Sequence, residues 1–146
     1  MIGRVVAFDL GDRRIGVAVS DPTGTLASGR DTLLRDGEAW PWRAILGVIE
    51  EEEAVRVVVG NPRHMSGEAS DRTAMSEAFA AELRERSGLP VDLQDERLTS
   101  VEAERQLRDS GRSKKKKRDK GEVDRAAAVL ILQTWLDTQA GGGLFA

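Results

Sequence analysis

The stretch Val5-Val6-Ala7-Phe8-Asp9-Leu10-Gly11-Asp12-Arg13-Arg14-Ile15-Gly16-Val17-Ala18-Val19-Ser20-Asp21 reads as strand, turn, strand. Its β-rich runs, 4–10 and 15–20, flank Gly-Asp-Arg-Arg, which is a hairpin signal. The first run ends in a carboxylate, Asp9. The second carries Gly16 in place of a side chain, so a cation or a phosphate could approach the backbone closely there. Residues 25–34, after Asp21-Pro22-Thr23-Gly24, add a third strand, and an antiparallel meander opens the fold.

Downstream the periodicity changes. Trp42, Ile45, Leu46 and Ile49 recur at helical spacing, with Pro41 in the first turn where a missing N–H costs little. That helix ends near the acidic run 50–53. Residues 55–59 form a short β-branched run stopped by Gly60-Asn61-Pro62, as expected of a buried strand opening into a loop. A second helix is predicted over 70–86, with Met75, Ala78, Phe79 and Leu83 as its apolar stripe and a left-handed cap at Gly88 before Pro90. Residues 91–94 give the next strand. Thr99-Ser100-Val101-Glu102 fits a capping box opening a third helix to about Asp109. The segment 110–120 reads as a charged loop, and a strong helical pattern resumes over 123–136. The expectation is one α/β domain over 1–139 with a disordered tail over 140–146. Its five-stranded mixed sheet combines the meander with parallel strands, because strand-helix-strand crossovers impose parallel pairing. No internal repeat is present.

Ligands of such sheets sit at the carboxyl ends of strands. Asp9, Gly60-Asn61-Pro62 and Asp95-Glu96 all occupy such ends. Alternation puts Asp9 on the face of Val5 and Ala7. On the last helix, Asp124 shares a stripe with Ala127, Ala128, Ile131 and Trp135, so it is directed inward at a point where alanines allow close approach. An inward carboxylate needs a partner, and Arg125 points elsewhere around the helix. A hard cation would satisfy it. Two Mg²⁺ ions about 3.5–4 Å apart, held by carboxylates, activate water and stabilise a leaving oxygen in phosphodiester cleavage. Three acids from the first strand, the fifth strand and the final helix suit that chemistry. Strand parity leaves Asp95 and Glu96 open as the middle one.

Composition bounds the alternatives. A chain of 146 residues supports one core. The absence of cysteine excludes disulfides, thiolate metal sites and a cysteine nucleophile, and a single histidine disfavours zinc. With no apolar run near 18 residues and Met1 leading directly into a strand, no membrane span or secretion leader is expected, which points to the cytoplasm. The net charge of −3 is unevenly distributed: 112–120 holds seven basic residues and one acid, +6 locally, leaving −9 for the rest. The local field matters more for a polyanion than the sum.

Taken together, Phe8-Asp9-Leu10-Gly11, Arg14-Ile15-Gly16-Val17-Ala18-Val19-Ser20-Asp21, Val59-Gly60-Asn61-Pro62 with Gly67, Asp95-Glu96-Arg97-Leu98-Thr99-Ser100, the basic loop and Val123-Asp124-Arg125-Ala126-Ala127-Ala128 resemble the YqgF/RuvX family. That family is described as Holliday junction resolvases or ribosomal-RNA precursor nucleases of RNase H-like fold, and the resemblance covers about residues 4 to 137. It implies a nuclease maturing the 5′ end of small-subunit ribosomal RNA precursor. The resemblance puts Asp9, Glu96 and Asp124 in the positions of the family's acidic triad, where they would hold Mg²⁺ or Mn²⁺, and so selects Glu96 over Asp95. Asn61 stands where leucine is frequent and Ser100 where a second threonine is usual. Neither difference removes an acid.

Each feature also has a plainer reading. Asp9-Leu10-Gly11-Asp12 alone is a common turn, Glu96 or Asp124 alone could favour a helix N-terminus, and a lysine run is commonly a solvated loop. Lys114, Lys115, Lys116, Lys117 and Arg118 precede the helix of Asp124 and could hold a phosphate backbone there. Arg13, Arg14 and Arg97 could bind phosphate or neutralise neighbouring acids. His64 reads as a loop residue, and Trp40, Trp42 and Trp135 as packing rather than base-stacking residues. The expected substrate is structured RNA or branched DNA; symmetric junction cleavage would require a homodimer presenting two sites. The competing classes are a noncatalytic nucleic-acid-binding domain of the same fold and one half of an actin-like or sugar-kinase nucleotide site, which needs two such domains.

Overall fold

The structure, a computed structural model, describes residues 3–62, 71–96 and 120–145, with side chains over 124–140 in the last segment. In chain order the strands are β1 (Arg4–Leu10), β2 (Arg14–Ser20), β3 (Ala27–Leu34), β4 (Ala54–Asn61) and β5 (Val91–Asp95). The helices are α1 (Trp42–Glu51), α2 (Asp71–Ser87) and α3 (Lys120–Phe145). They form the expected five-stranded mixed sheet, in the order β3-β2-β1-β4-β5. The meander pairs antiparallel, while β1–β4 and β4–β5 pair parallel.

Strand alternation divides the core into two layers. Val6, Phe8, Val57, Val59 and Val91 face α1 and α2. Val5, Ala7, Ala18 and Val58 face α3, against Ala127, Ala128, Ile131, Leu132, Trp135 and Leu136. On the first face Phe79 of α2 meets Trp42 in a stacked pair at 5.1 Å and Trp40 edge-on at 4.9 Å. The tryptophans are packing residues, as their spacing suggests. Arg35 and Arg86 cover the outer rings of Trp40 and Trp42.

Two details differ from the sequence pattern. Ala78 is exposed, and the inward face of α2 is Thr73, Ser76, Phe79, Ala80 and Leu83. Two polar positions hid that face; the Thr73 hydroxyl is accommodated by donating to the Pro62 carbonyl. The second detail concerns α3, whose backbone stays helical through 141–143 to Phe145, where a disordered tail is predicted. An established helix gains one hydrogen bond per added residue, which opposes the roughly 1 kcal/mol that each glycine costs. The Gly88 cap has the left-handed φ of 71° expected, with its N–H bonded to the Arg84 carbonyl. The helix predicted over 99–109, the basic loop and His64 lie outside the described residues.

Candidate active site around Asp9

Asp9 is the penultimate residue of the central strand, with one glycine on each side. In the β1–β2 ladder it pairs with Gly16. In the β1–β4 ladder Phe8 pairs with Val59, so Gly60 is the next residue of β4 beside Asp9. Adjacent strands lie about 4.8 Å apart, so the two glycines clear a strip of sheet three strands wide. All three residues belong to the α3 face, with Val5, Ala7, Ala18 and Val58.

The other two acids arrive over those glycines. A Cβ on Gly16 would stand 2.2 Å from the Asp124 main-chain oxygen and 3.4 Å from the Ala128 Cβ, so α3 rests on the bare backbone of β2 at Asp124. A Cβ on Gly60 would stand 3.0 Å from Glu96 Oε2 and 2.7 Å from Ile131 Cδ1. The glycines are required by close approach rather than by backbone conformation. Asp9 and Glu96 are 5% and 2% exposed, and Asp124 is half-buried. Two buried carboxylates within an apolar layer are unusual enough to point to chemistry rather than solubility.

Asp95 and Glu96 lie on opposite faces of the sheet. Val91 and Leu93 belong to the layer of α1 and α2, and Asp95, paired with Asn61, keeps their parity. Glu96 immediately follows the strand and reaches over Gly60 on the α3 face.

Two arginines hold the turn after Asp9. Arg35 donates to the Gly11 carbonyl at 2.8 Å while stacking on Trp40 at 3.7 Å. Arg72, in the first turn of α2, donates to the Leu10 carbonyl at 3.3 Å and pairs with Asp12 at 3.4 Å. Sequence reasoning missed both, because 24 and 62 residues separate these donors from their carbonyls. Arg13 is exposed and Arg14 half-buried at this turn, on the side of the sheet end that carries Asp9. Arg97, Lys114, Lys115, Lys116, Lys117 and Arg118 lie outside the described residues.

The donors suit a hard divalent cation, being all carboxylate oxygen. The space over Gly60, which a Cβ would fill, is where Glu96 enters. Among the described residues no three His, Cys, Asp or Glu side chains stand as a ready-made ligand set.

A family model described as "RuvX: Holliday junction resolvase" matches residues 3–138. The chain belongs to the RuvX family. A protein of Koribacter versatilis named "Putative pre-16S rRNA nuclease" is 49% identical over 135 residues, covering 92% of this chain and 87% of the relative. A Geobacillus kaustophilus protein of the same name is 41% identical over 138 residues, covering 93% and 99%. In fold, this RuvX-family chain is similar to Thermus thermophilus RuvC, solved in complex with a Holliday junction. The TM-score is 0.51 at 13% identity, over 95% of this chain and 96% of that one. That likeness bears out the RNase H-like architecture. No helix among the described residues is long and apolar enough to cross a membrane.

Proposed function

We propose that this protein is a metal-dependent nuclease that hydrolyses phosphodiester bonds in structured RNA, processing the 5′ end of the small-subunit ribosomal RNA precursor. It acts as a single domain in the cytoplasm. The observation that carries the reading is the place of buried Asp9 between Gly16 and Gly60, with the Asp124 main chain resting over the one and the Glu96 carboxylate over the other. Relatives named as pre-16S rRNA nucleases support the choice of substrate.

Mg²⁺ or Mn²⁺ held by Asp9, Glu96 and Asp124 would supply an activated water and charge stabilisation at the leaving oxygen. The protein's part is to present the oxygens. Asp9 is fixed by the central strand and by the Arg35 and Arg72 bonds to the two carbonyls that follow it. Glu96 comes over Gly60 of β4 and Asp124 over Gly16 of β2, the strands on either side of Asp9. Burial of Asp9 and Glu96 keeps bulk water from competing for these oxygens and strengthens their hold on a cation. Arg13, Arg14 and Arg97, with Lys114, Lys115, Lys116, Lys117 and Arg118, would bind the phosphate backbone beside this centre.

The test is incubation of purified protein with labelled ribosomal-RNA precursor and, separately, a four-way DNA junction, each with Mg²⁺ or Mn²⁺, beside Asp9→Asn. Cleavage of the precursor by the wild type alone is the expected result. Preferential cutting of the junction would move the substrate to branched DNA and call for a dimer with two sites.

A further inference from the structure

Asp124 and Arg125 are consecutive, so they leave α3 about 100° apart. While the Asp124 carbonyl rests on Gly16, the Arg125 side chain crosses to the edge strand β3 and lies along Gly29. A Cβ on Gly29 would stand 2.2 and 2.4 Å from Arg125 Cγ and Cδ. The guanidinium then turns to a main-chain acceptor and an exposed carboxylate: Nε donates to the Arg30 carbonyl at 2.9 Å and Nη2 to Asp31 Oδ1 at 3.1 Å. These acceptors sit at an irregularity in the β2–β3 ladder. Ile15 pairs with Leu33 and Val17 with Arg30, so Asp31 and Thr32 together oppose Gly16 alone. Such a bulge re-aims local groups, and here it offers a main-chain carbonyl and a carboxylate to the helix above.

The packing of α3 on the sheet around this point is otherwise apolar. Apolar burial resists lifting the helix but is non-directional, so it sets neither rotation nor axial slide closely. Directional hydrogen bonds do. Gln133 makes a second polar clamp on the same face, eight residues on: its Oε1 accepts from the Ala27 N–H at 2.9 Å and its Nε2 donates to the Thr25 carbonyl at 3.0 Å. Gln133 fixes the far part of α3, and Arg125 fixes the part that carries Asp124.

We infer that Arg125, seated on Gly29, is a positioning residue: it sets the rotation and height of the start of α3 and thereby the place of the Asp124 carboxylate relative to Asp9. The inference rests on the nuclease reading above for its catalytic consequence, but the pinning itself is independent of it.

The test compares the full-length chain carrying Arg125→Ala, Arg125→Lys or Gly29→Ala with Gln133→Ala. Three measurements are made: cleavage kinetics, the Mn²⁺ dependence of melting, and amide hydrogen exchange over 120–128. Arg125→Ala is expected to lower kcat about 10- to 100-fold with KM little changed, the size of effect typical of removing a positioning side chain. It should also weaken the Mn²⁺ response and speed exchange over 120–128. Gly29→Ala should do the same by pushing the Arg125 stem off the strand. Arg125→Lys keeps the stem and one donor, so partial recovery is expected. Gln133→Ala should leave kcat and the Mn²⁺ response unchanged. Unchanged exchange over 120–128 in Arg125→Ala overturns the pinning, and equal kinetic effects of Arg125→Ala and Gln133→Ala overturn the specific link to Asp124. A wild type that cleaves neither substrate counts against the nuclease reading instead, and the exchange comparison still decides whether Arg125 holds the helix.

Discussion

Gly60 lies beneath the carboxylate of Glu96, with 3.0 Å between Glu96 Oε2 and the point a Cβ would occupy. The nearest other atom is the Ile131 Cδ1 methyl at 2.7 Å, and both are ends of flexible side chains. Gly60→Ala is therefore expected to fold, to lose no more than about 1–3 kcal/mol from overpacking, and to lose most of its cleavage activity because Glu96 is displaced. Gly16→Ala is the harsher change. Its methyl meets the main-chain oxygen of Asp124, which cannot rotate away, so chemical denaturation should show the larger stability loss there.

Removing charge without changing shape isolates the acids themselves. Asp9→Asn, Glu96→Gln and Asp124→Asn should each reduce cleavage by more than about a hundredfold, beyond the 10–100-fold typical of outer-shell changes, with substrate affinity largely kept. Full activity in any one of them would take that residue out of the site. Millimolar Mg²⁺ or Mn²⁺ should raise the melting temperature of the wild type, because a ligand that binds only the folded state stabilises it by mass action. The three variants should respond less, and a flat wild-type response would count against a metal site here.

Much of this site could be read from the chain because its parts lie on strongly patterned elements. Asp9 extends an alternating strand and Asp124 an apolar helical stripe, so residue type and period place both on the face between the sheet and α3. Glu96 is different. Its face follows from the register of β5 against β4, which the local sequence does not show, so only the family resemblance separates it from its neighbour. The periodicity of α3 shows that Arg125 points away from Asp124, yet its destination depends on Gly29 and on the ladder irregularity in β3, almost a hundred residues earlier. The bonds of Arg35 and Arg72 to the turn after Asp9 are invisible for the same reason. Hydropathy misassigned Ala78 because two polar residues, Thr73 and Ser76, belong to the buried face of α2.

The aromatic cluster on the opposite face should matter for stability alone. Phe79 is 1% exposed and touches Phe8, Trp40 and Trp42, so Phe79→Ala is expected to cost about 3–5 kcal/mol in denaturant unfolding. Arg86→Ala removes a cation over the ring of Trp42 and an exposed pair with Glu82 at 2.7 Å, together worth about 1 kcal/mol. A larger loss from Arg86→Ala than from Phe79→Ala would contradict this order.

The basic run is expected to act through charge. Replacing Lys114, Lys115, Lys116 and Lys117 together by alanine should weaken nucleic-acid binding, with an effect that shrinks as salt rises. For each phosphate no longer neutralised, the slope of log affinity against log salt should fall by about 0.7 on single strands and 0.9 on duplex. A salt series on wild type and the quadruple variant measures it, and equal affinities with equal slopes would reduce the run to a solubilising segment.

Asn61 carries the one sequence difference whose cost the fold makes visible. It ends β4 on the face away from Asp9, is 4% exposed, and its Oδ1 has no hydrogen-bond partner among the described residues. A buried acceptor left unsatisfied costs about 1–3 kcal/mol, and leucine, frequent at this place in the family, has nearly the same reach with no polar atom to satisfy. Asn61→Leu should therefore raise stability by about 1–2 kcal/mol, or about 2–8 °C in melting temperature for a chain of this length. Cleavage should be unchanged, since the side chain faces the α1 and α2 layer rather than the acids. A lower melting temperature would mean that the amide is held by a donor beyond the described residues, and that asparagine stabilises this loop entrance rather than straining it.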